Sequence, residues 1–177
     1  MAEINDLARI IDGCKNGNSE SFEKLLSLYS GKLYGYFFRL TNNRSVSDDL
    51  LSELFVKLVE KIKFYRGGNF DAWIFKIASN IFNDYLRAKQ RDKRLGTRLD
   101  DLDLDQIKTP EKETSPDTTD KIQTILETLD SDTRELVMLR FYGQLSFKEL
   151  AELRREPIGT VLSKVHRGLK TIRQMLE

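Results

Sequence analysis

The stretch Leu145 to Lys170, LSFKELAELRREPIGTVLSKVHRGLK, constrains the fold more than any other part of the chain. Its spacing predicts a short helix, a tight turn and a longer helix. Ser146 and Glu149 have the S-x-x-E spacing of a capping box, in which each side chain satisfies a backbone amide at the helix start. Leu145 and Leu150 are spaced to close a hydrophobic staple over the same end. Pro157 stands where the second helix begins, a position that tolerates a missing N–H. Val161, Val165, Leu169 and Ile172 recur at helical spacing and predict an inward face. Thr160, Ser163, Lys164, His166, Arg167 and Lys170 are left on outer faces. A helix carrying hydroxyls and cations fits the major groove of B-DNA, which makes the segment a helix-turn-helix candidate. The competing reading is a solvated face on an ordinary helical hairpin.

The charge distribution favours the first reading. The chain has 177 residues, 40% hydrophobic and 32% charged, with a net charge of only +1. Basic residues nevertheless cluster, in Arg87 to Arg94 (RAKQRDKR) and again in Lys164 to Arg173. Between them lie Asp100, Asp101, Asp103, Asp105, Glu111, Glu113 and Asp117. Two basic segments separated by an acidic one suggest two nucleic-acid contacts on a tether that avoids DNA.

Several functions are disfavoured. Cys14 is the only cysteine and His166 the only histidine, so no intrachain disulfide and no ordinary tetrahedral zinc site can form. There is no G-x-x-x-x-G-K-[ST] phosphate loop and no G-x-S-x-G elbow. No cofactor and no enzymatic activity are expected. The start, MAEINDLARI, lacks the basic and apolar regions of a signal peptide, and no apolar run approaches the ~20 residues that span a bilayer. The expected compartment is the cytoplasm, without membrane insertion.

Periodicity along the rest of the chain predicts helices only. Leu7, Ile10, Ile11 and Cys14 mark the first, closed near Asn16-Gly17. Phe22, Leu25, Leu26, Tyr29, Leu33, Tyr36, Phe37 and Leu40 mark a longer one, ended by Thr41-Asn42-Asn43. Ser45 and Asp48 resemble the start of a third, with Leu50, Leu51, Leu54, Phe55, Leu58 and Ile62 as its buried stripe. Arg66-Gly67-Gly68-Asn69 ends it. A fourth runs from about Phe70 to Arg94, with Trp73, Ile74, Ile77, Ile81, Phe82 and Tyr85 inward. From 95 to 120 the pattern dissolves around Gly96, Pro110 and Pro116, which reads as a flexible acidic linker. Ile122, Ile125, Leu126 and Leu129 then mark a helix. Asp132 and Glu135 open the next, which carries Leu136, Val137, Leu139 and Phe141 to Gly143. The expected architecture is all-α: two small helical domains, 1–94 and 121–177, joined by that linker.

With both halves in view, the chain resembles RNA polymerase sigma factors of the sigma-70 family, in particular the compact extracytoplasmic-function type (group 4). The likeness covers Ser19 to Leu176. It rests on DDLLSELFVKLVEKI (Asp48 to Ile62) and FDAWIFKIASNIFNDYLR (Phe70 to Arg87) in the first half. In the second it rests on LDSDTRELVMLRFYGQLSFKELAEL and PIGTVLSKVHRGLK. The resemblance implies that the first half is region 2, which docks on the clamp helices of the polymerase's largest subunit and opens the −10 promoter element. It implies that the second is region 4, which reads the −35 element and meets the polymerase flap. An anti-sigma protein is the implied regulator.

Site residues follow from the same likeness. Docking maps to the helix bearing Asp49, Glu53, Leu54 and Lys57; the plainer reading is a solvated charged face with Leu54 in the core. For the −10 element, strand opening needs stacking or pocket contacts, which contribute ~1–3 kcal/mol per base. Tyr65, Asn69, Asn80 and Asn83 carry hydrogen-bonding groups for exposed bases, and Lys76, Arg87, Lys89 and Arg91 can hold phosphates. Trp73 reads as core, and Asp84 as a structural partner inside the bundle. For the −35 element the contacts fall on Leu162, Ser163, His166 and Arg167, with Thr160, Lys164 and Lys170 nearby. Arg167 suits the O6 and N7 of a guanine.

Three departures from the family pattern bear on −35 preference. Leu162 stands where relatives often carry a cation. Arg155 falls where a glycine is common and is expected in the left-handed backbone region. Glu156 suits the helix dipole but repels phosphate. Two expectations concern the acidic linker: that it threads toward the polymerase cleft, or that it is a solvated tether. The rival whole-chain readings are a dimeric helix-turn-helix regulator and a helical protein-interaction module.

Overall fold

The computed structural model describes the backbone of residues 2–99 and 118–177 and the side chains of residues 6–94 and 121–177. Those residues are helical, with no strand among them. The first unit comprises α1 (Ala2–Lys15), α2 (Ser19–Thr41), α3 (Arg44–Lys61), a 3-10 turn (Ile62–Phe64) and α4 (Phe70–Leu99). The second comprises α5 (Thr118–Glu127), α6 (Ser131–Tyr142), α7 (Phe147–Arg154) and α8 (Ile158–Leu176).

Local chemistry sets the boundaries. Asn18 caps α2, its Oδ1 accepting from the Ser21 amide at 2.8 Å. Asn42 ends that helix in the left-handed region at φ 50°, a conformation asparagine tolerates. Asn43, not the expected Ser45, caps α3, and its Oδ1 accepts from Val46 N at 2.9 Å. Both residue types cap well, so sequence alone does not choose between them. The third helix ends at Lys61, before the expected Arg66, because the 3-10 turn tightens the chain. The fourth runs past Arg94 to Leu99, and α5 begins at Thr118, so helix takes both ends of the stretch 95–120 expected as linker. The expected acidic tether at 100–117 lies outside the described residues.

Leu25, Leu33, Phe37, Leu54, Leu58 and Ile74 fill the first core; Leu126, Leu136, Leu139, Leu150, Val161 and Val165 fill the second. Burying each such side chain contributes on the order of 1.5–3 kcal/mol. Phe75, not singled out in sequence, is fully buried. Two expected inward residues are not inside: Phe141 is 71% exposed and Leu169 48% exposed.

The two units abut. Helix α6 lies against α2 and α4, and a single apolar cluster runs across the junction. A Cβ on Gly143 would stand 2.9 Å from the Phe75 ring, so only glycine permits this approach. Glu135, read in sequence as a helix-opening charge, is instead 2% exposed at the centre of the seam.

Candidate nucleic-acid interface

The α7–α8 hairpin is built from local interactions. Ser146 and Glu149 form the expected capping box: Glu149 N donates to Ser146 Oγ at 3.2 Å, and Ser146 N donates to Glu149 Oε2 at 2.8 Å. Burial works against the Glu149 carboxylate, but hydrogen bonds from Ser146 hold its pKa below the ordinary value. Arg155 adopts the left-handed conformation expected of it, with φ 56° and ψ 39°. Its N–H reaches the carbonyls of Ala151 and Glu152, and the Glu156 amide reaches Ala151. Helix α8 starts after Pro157, whose carbonyl accepts from Thr160 and Val161.

That turn fixes which face of α8 looks outward. Val161, Val165 and Gly168 are buried. Thr160, Leu162, Ser163, His166, Arg167 and Lys170 are exposed, and together they cover the outer face of the helix. Ser163 Oγ donates to the Gly159 carbonyl at 2.8 Å, which leaves its lone pairs as acceptors. Lys164 departs from this set. Its ammonium sits 2.7 Å from Asp132 and 2.8 Å from Glu156, and those hydrogen bonds raise its pKa. Lys164 therefore ties α8 to α6 and to the turn, and does not stand out toward a phosphate.

The long helix α4 offers a second polar stripe. Asn69 caps it through Ala72 N at 3.2 Å. Half-buried Lys76 and exposed Asn80, Arg87 and Arg91 follow at helical spacing on one side. Lys89 lies 5.9 Å from the Tyr85 ring centroid, around the helix from that stripe. Asp84 is a surface residue paired with Arg87 at 2.9 Å, a correction to its expected place inside the bundle. Asn83 donates to the Ser79 carbonyl at 2.8 Å and leans on Glu135 at 3.4 Å.

Tyr65 also departs from expectation. It is buried, its hydroxyl donates to the Gly68 carbonyl at 2.7 Å, and its ring meets Phe70 and half-buried Trp73. Desolvation raises its pKa. The exposed aromatic of this loop is Phe64, 62% exposed with the Lys63 ammonium over its ring. Phe64 ends the 3-10 turn that leads into Arg66-Gly67-Gly68-Asn69. Only packing decides that Tyr65, and not Phe64, turns inward.

On α3, Asp49 and Glu53 are exposed and Glu53 pairs with half-buried Lys57 at 2.6 Å. Leu54 is fully buried, so it belongs to the core and cannot touch a partner. Exposed Val56 and Val59 supply the apolar side chains of this surface instead. Sequence missed them because they fall off the inward stripe. On the second unit, Leu126, Val137, Met138, Leu169 and Ile172 line an apolar groove of about 820 Å³. No described helix is long and apolar enough to cross a membrane. Among the described residues, no cluster of acidic, histidine or cysteine side chains could hold a metal ion.

Comparison with known proteins matches both halves. Residues 25–92 match the Sigma-70 region 2 family, and residues 119–172 match Sigma-70, region 4. The ECF RNA polymerase sigma factor SigW of Bacillus subtilis is 26% identical, over 92% of this chain and 92% of the relative. The ECF RNA polymerase sigma-E factor of Haemophilus influenzae is 27% identical, over 100% of this chain and 98% of the relative. In structure, the chain is similar to the sigma factor RpoE solved with the anti-sigma factor NepR from Bartonella quintana. The TM-score is 0.69 at 24% identity, over 89% of this chain and 97% of that one. It is also similar to CnrH solved with the cytosolic domain of CnrY, with TM-score 0.64 at 18% identity over 94% of each chain. These two likenesses establish the fold.

Proposed function

The chain belongs to the sigma-70 family of RNA polymerase sigma factors, of the extracytoplasmic-function type, and on that premise we propose a role for each surface. The protein directs promoter-specific transcription initiation as a specificity subunit; nucleotidyl transfer is the polymerase's. Region 2, through α4, takes the −10 element, and region 4, from α5 onward, takes the −35 element. The observation that carries this reading is the outer face of α8. A turn held by the left-handed Arg155 presents Ser163, His166 and Arg167 away from the bundle. Side chains of these types read base edges and phosphates in a major groove.

The α4 stripe of Lys76, Asn80, Arg87 and Arg91, with Asn69 and Asn83, receives the −10 strand. Phe64 stacks on an unpaired base, and buried Tyr65 does not supply the hydrogen-bonding group expected of it. Asp49, Glu53 and Lys57, with Val56 and Val59, form the surface that docks on the clamp helices of core polymerase. Regulation by an anti-sigma protein is proposed from the related structures, which were solved with such partners. The test is binding of labelled promoter duplex by the full chain, alone and with purified core polymerase. A near-neutral protein with two small contact surfaces binds weakly alone. Sequence-specific binding should appear only with core. Equal, specific binding without core would favour an autonomous regulator and overturn the reading.

A further inference from the structure

The outer face of α8 changes chemistry along its length. Ile158, Leu162, His166 and Lys170 form one row at four-residue spacing, and all four are exposed. The row is polar at its carboxyl-terminal end and apolar at its start, where Ile158 is 53% and Leu162 45% exposed. No charge stands among residues 158–163. The next residue, Lys164, is held by Asp132 and Glu156, so its charge does not reach across to the row.

The packing of the unit does not use this apolar pair. Val161, Val165 and Gly168 take the buried positions of the helix. The apolar groove of the second unit takes Val165, Leu169 and Ile172 from α8, farther toward its carboxyl end. A Cβ on Gly159, beside the pair, would meet nothing within 4 Å beyond its own turn of helix. Among the described residues, then, nothing overhangs this end of α8.

Continuity identifies the occupant. The row runs unbroken from Leu162 into His166, and Ser163 and Arg167 flank it. Those three side chains are the ones assigned above to bases and phosphates of the −35 element. A phosphate offers an uncharged aliphatic pair nothing. Among the groups that a base pair presents in the major groove, the C5-methyl of thymine is the apolar one.

We propose that Leu162 and Ile158 are specificity residues that read thymine methyl groups of the −35 element, on either strand, while Arg167 takes a guanine. The inference rests on the −35 assignment of α8. It makes the start of this helix a reader of A·T pairs through apolar contact. Such contact releases no counterions, so its discrimination should persist as rising salt weakens binding overall.

Deoxyuridine differs from thymidine only in lacking that methyl, and this supplies the test. The full-length chain and purified core polymerase are assayed by run-off transcription on a promoter the holoenzyme uses. The −35 thymines of both strands are replaced one at a time by deoxyuridine. At one or two positions, initiation at limiting holoenzyme should fall about 4-fold, the factor for returning one methyl group to water. Replacements outside both promoter elements should have no effect. Leu162→Ser and Ile158→Ser should each reduce the thymine preference at one of these positions toward 1-fold, and Leu162→Met should keep it. Both residues are exposed, so melting temperatures of the variants should match that of the wild-type chain. A −35 element without an A·T pair overturns the proposal. So does equal use of thymidine and deoxyuridine at every −35 position, or a preference that survives at full size in both serine variants. If scrambling the whole −35 element leaves initiation unchanged, the underlying assignment fails first, and the proposal with it.

Discussion

Nη2 of Arg154 stands 2.6 Å from Oε2 of Glu135, an ion pair whose side chains are 13% and 2% exposed. Burial disfavours the Arg154 charge, but the adjacent carboxylate outweighs it and raises the arginine's pKa. Nε of Arg154 lies 3.4 Å from Asp132 but has no hydrogen-bond partner, so Glu135 carries most of the compensation. Removing one member of a buried pair strands the other. Arg154→Leu should therefore destabilise region 4 by about 3 kcal/mol, read as a lower urea midpoint. An unchanged midpoint would mean that water reaches Glu135 and the pair is not buried in solution.

Arg155 has a Cβ in a backbone conformation that disfavours one, at φ 56°. Arg155→Gly removes that strain but adds unfolded-state entropy, so the gain should be no more than about 1 kcal/mol. Chemical denaturation of the two chains checks the sign. Destabilisation by Arg155→Gly would show that the arginine side chain contributes more than the strain costs.

Arg167 and Lys164 lie on the same helix and should fail differently. Arg167 is exposed on the outer face, so Arg167→Ala should cost about 1–3 kcal/mol at the −35 element and relax base preference there. Lys164 is held between Asp132 and Glu156, so Lys164→Ala should lower the melting temperature and leave base preference intact. Transcription from promoters varied at single −35 positions, alongside melting curves, separates the two. A preference change in Lys164→Ala would return that residue to the DNA contacts.

Acid should weaken region 4 through its helix caps. The Thr133 amide holds Asp130 below its ordinary 3.8, with Oδ1 2.9 Å from that nitrogen. A carboxylate depressed in the folded state contributes stability above its unfolded pKa and loses it as pH falls through the folded value. Lys164, raised in the folded state, has the opposite sign: its contribution is complete below its ordinary 10.5 and is lost as pH rises through the folded value. Stability should be flat near neutrality and fall below about pH 4. Asp130→Asn keeps a capping oxygen without the titrating charge, so it should flatten the acid limb. Urea midpoints from pH 3 to 7 measure this; an equally steep limb in the variant would assign the acid loss elsewhere.

What sequence revealed of this molecule was mostly local. The Ser146–Glu149 box depends on residues three positions apart and is found as expected, as is the left-handed Arg155, which the family resemblance implied through the glycine common at that position. Helical spacing likewise identified Val161 and Val165 as inward residues of α8. Spacing misplaced Phe141 and Leu169 because they fit an apolar stripe that opens into a groove rather than a core. The place of Glu135 was beyond any local reading. Its partners Tyr36 and Ser79 lie 99 and 56 residues away, and an acidic residue in the first turns of a helix ordinarily faces water. Among the site residues, helix phase identified the exposed faces of α4 and α8. It could not separate Tyr65 from Phe64, or recognise that Lys164 is committed to Asp132 and Glu156.

The most direct test of the central claim is run-off transcription by purified core RNA polymerase over a library of promoters, with and without the full-length chain. Initiation confined to templates that share a −35 and a −10 element, and dependent on the added chain, is the predicted result. No chain-dependent initiation, with no co-purification of the chain with core polymerase, would contradict it.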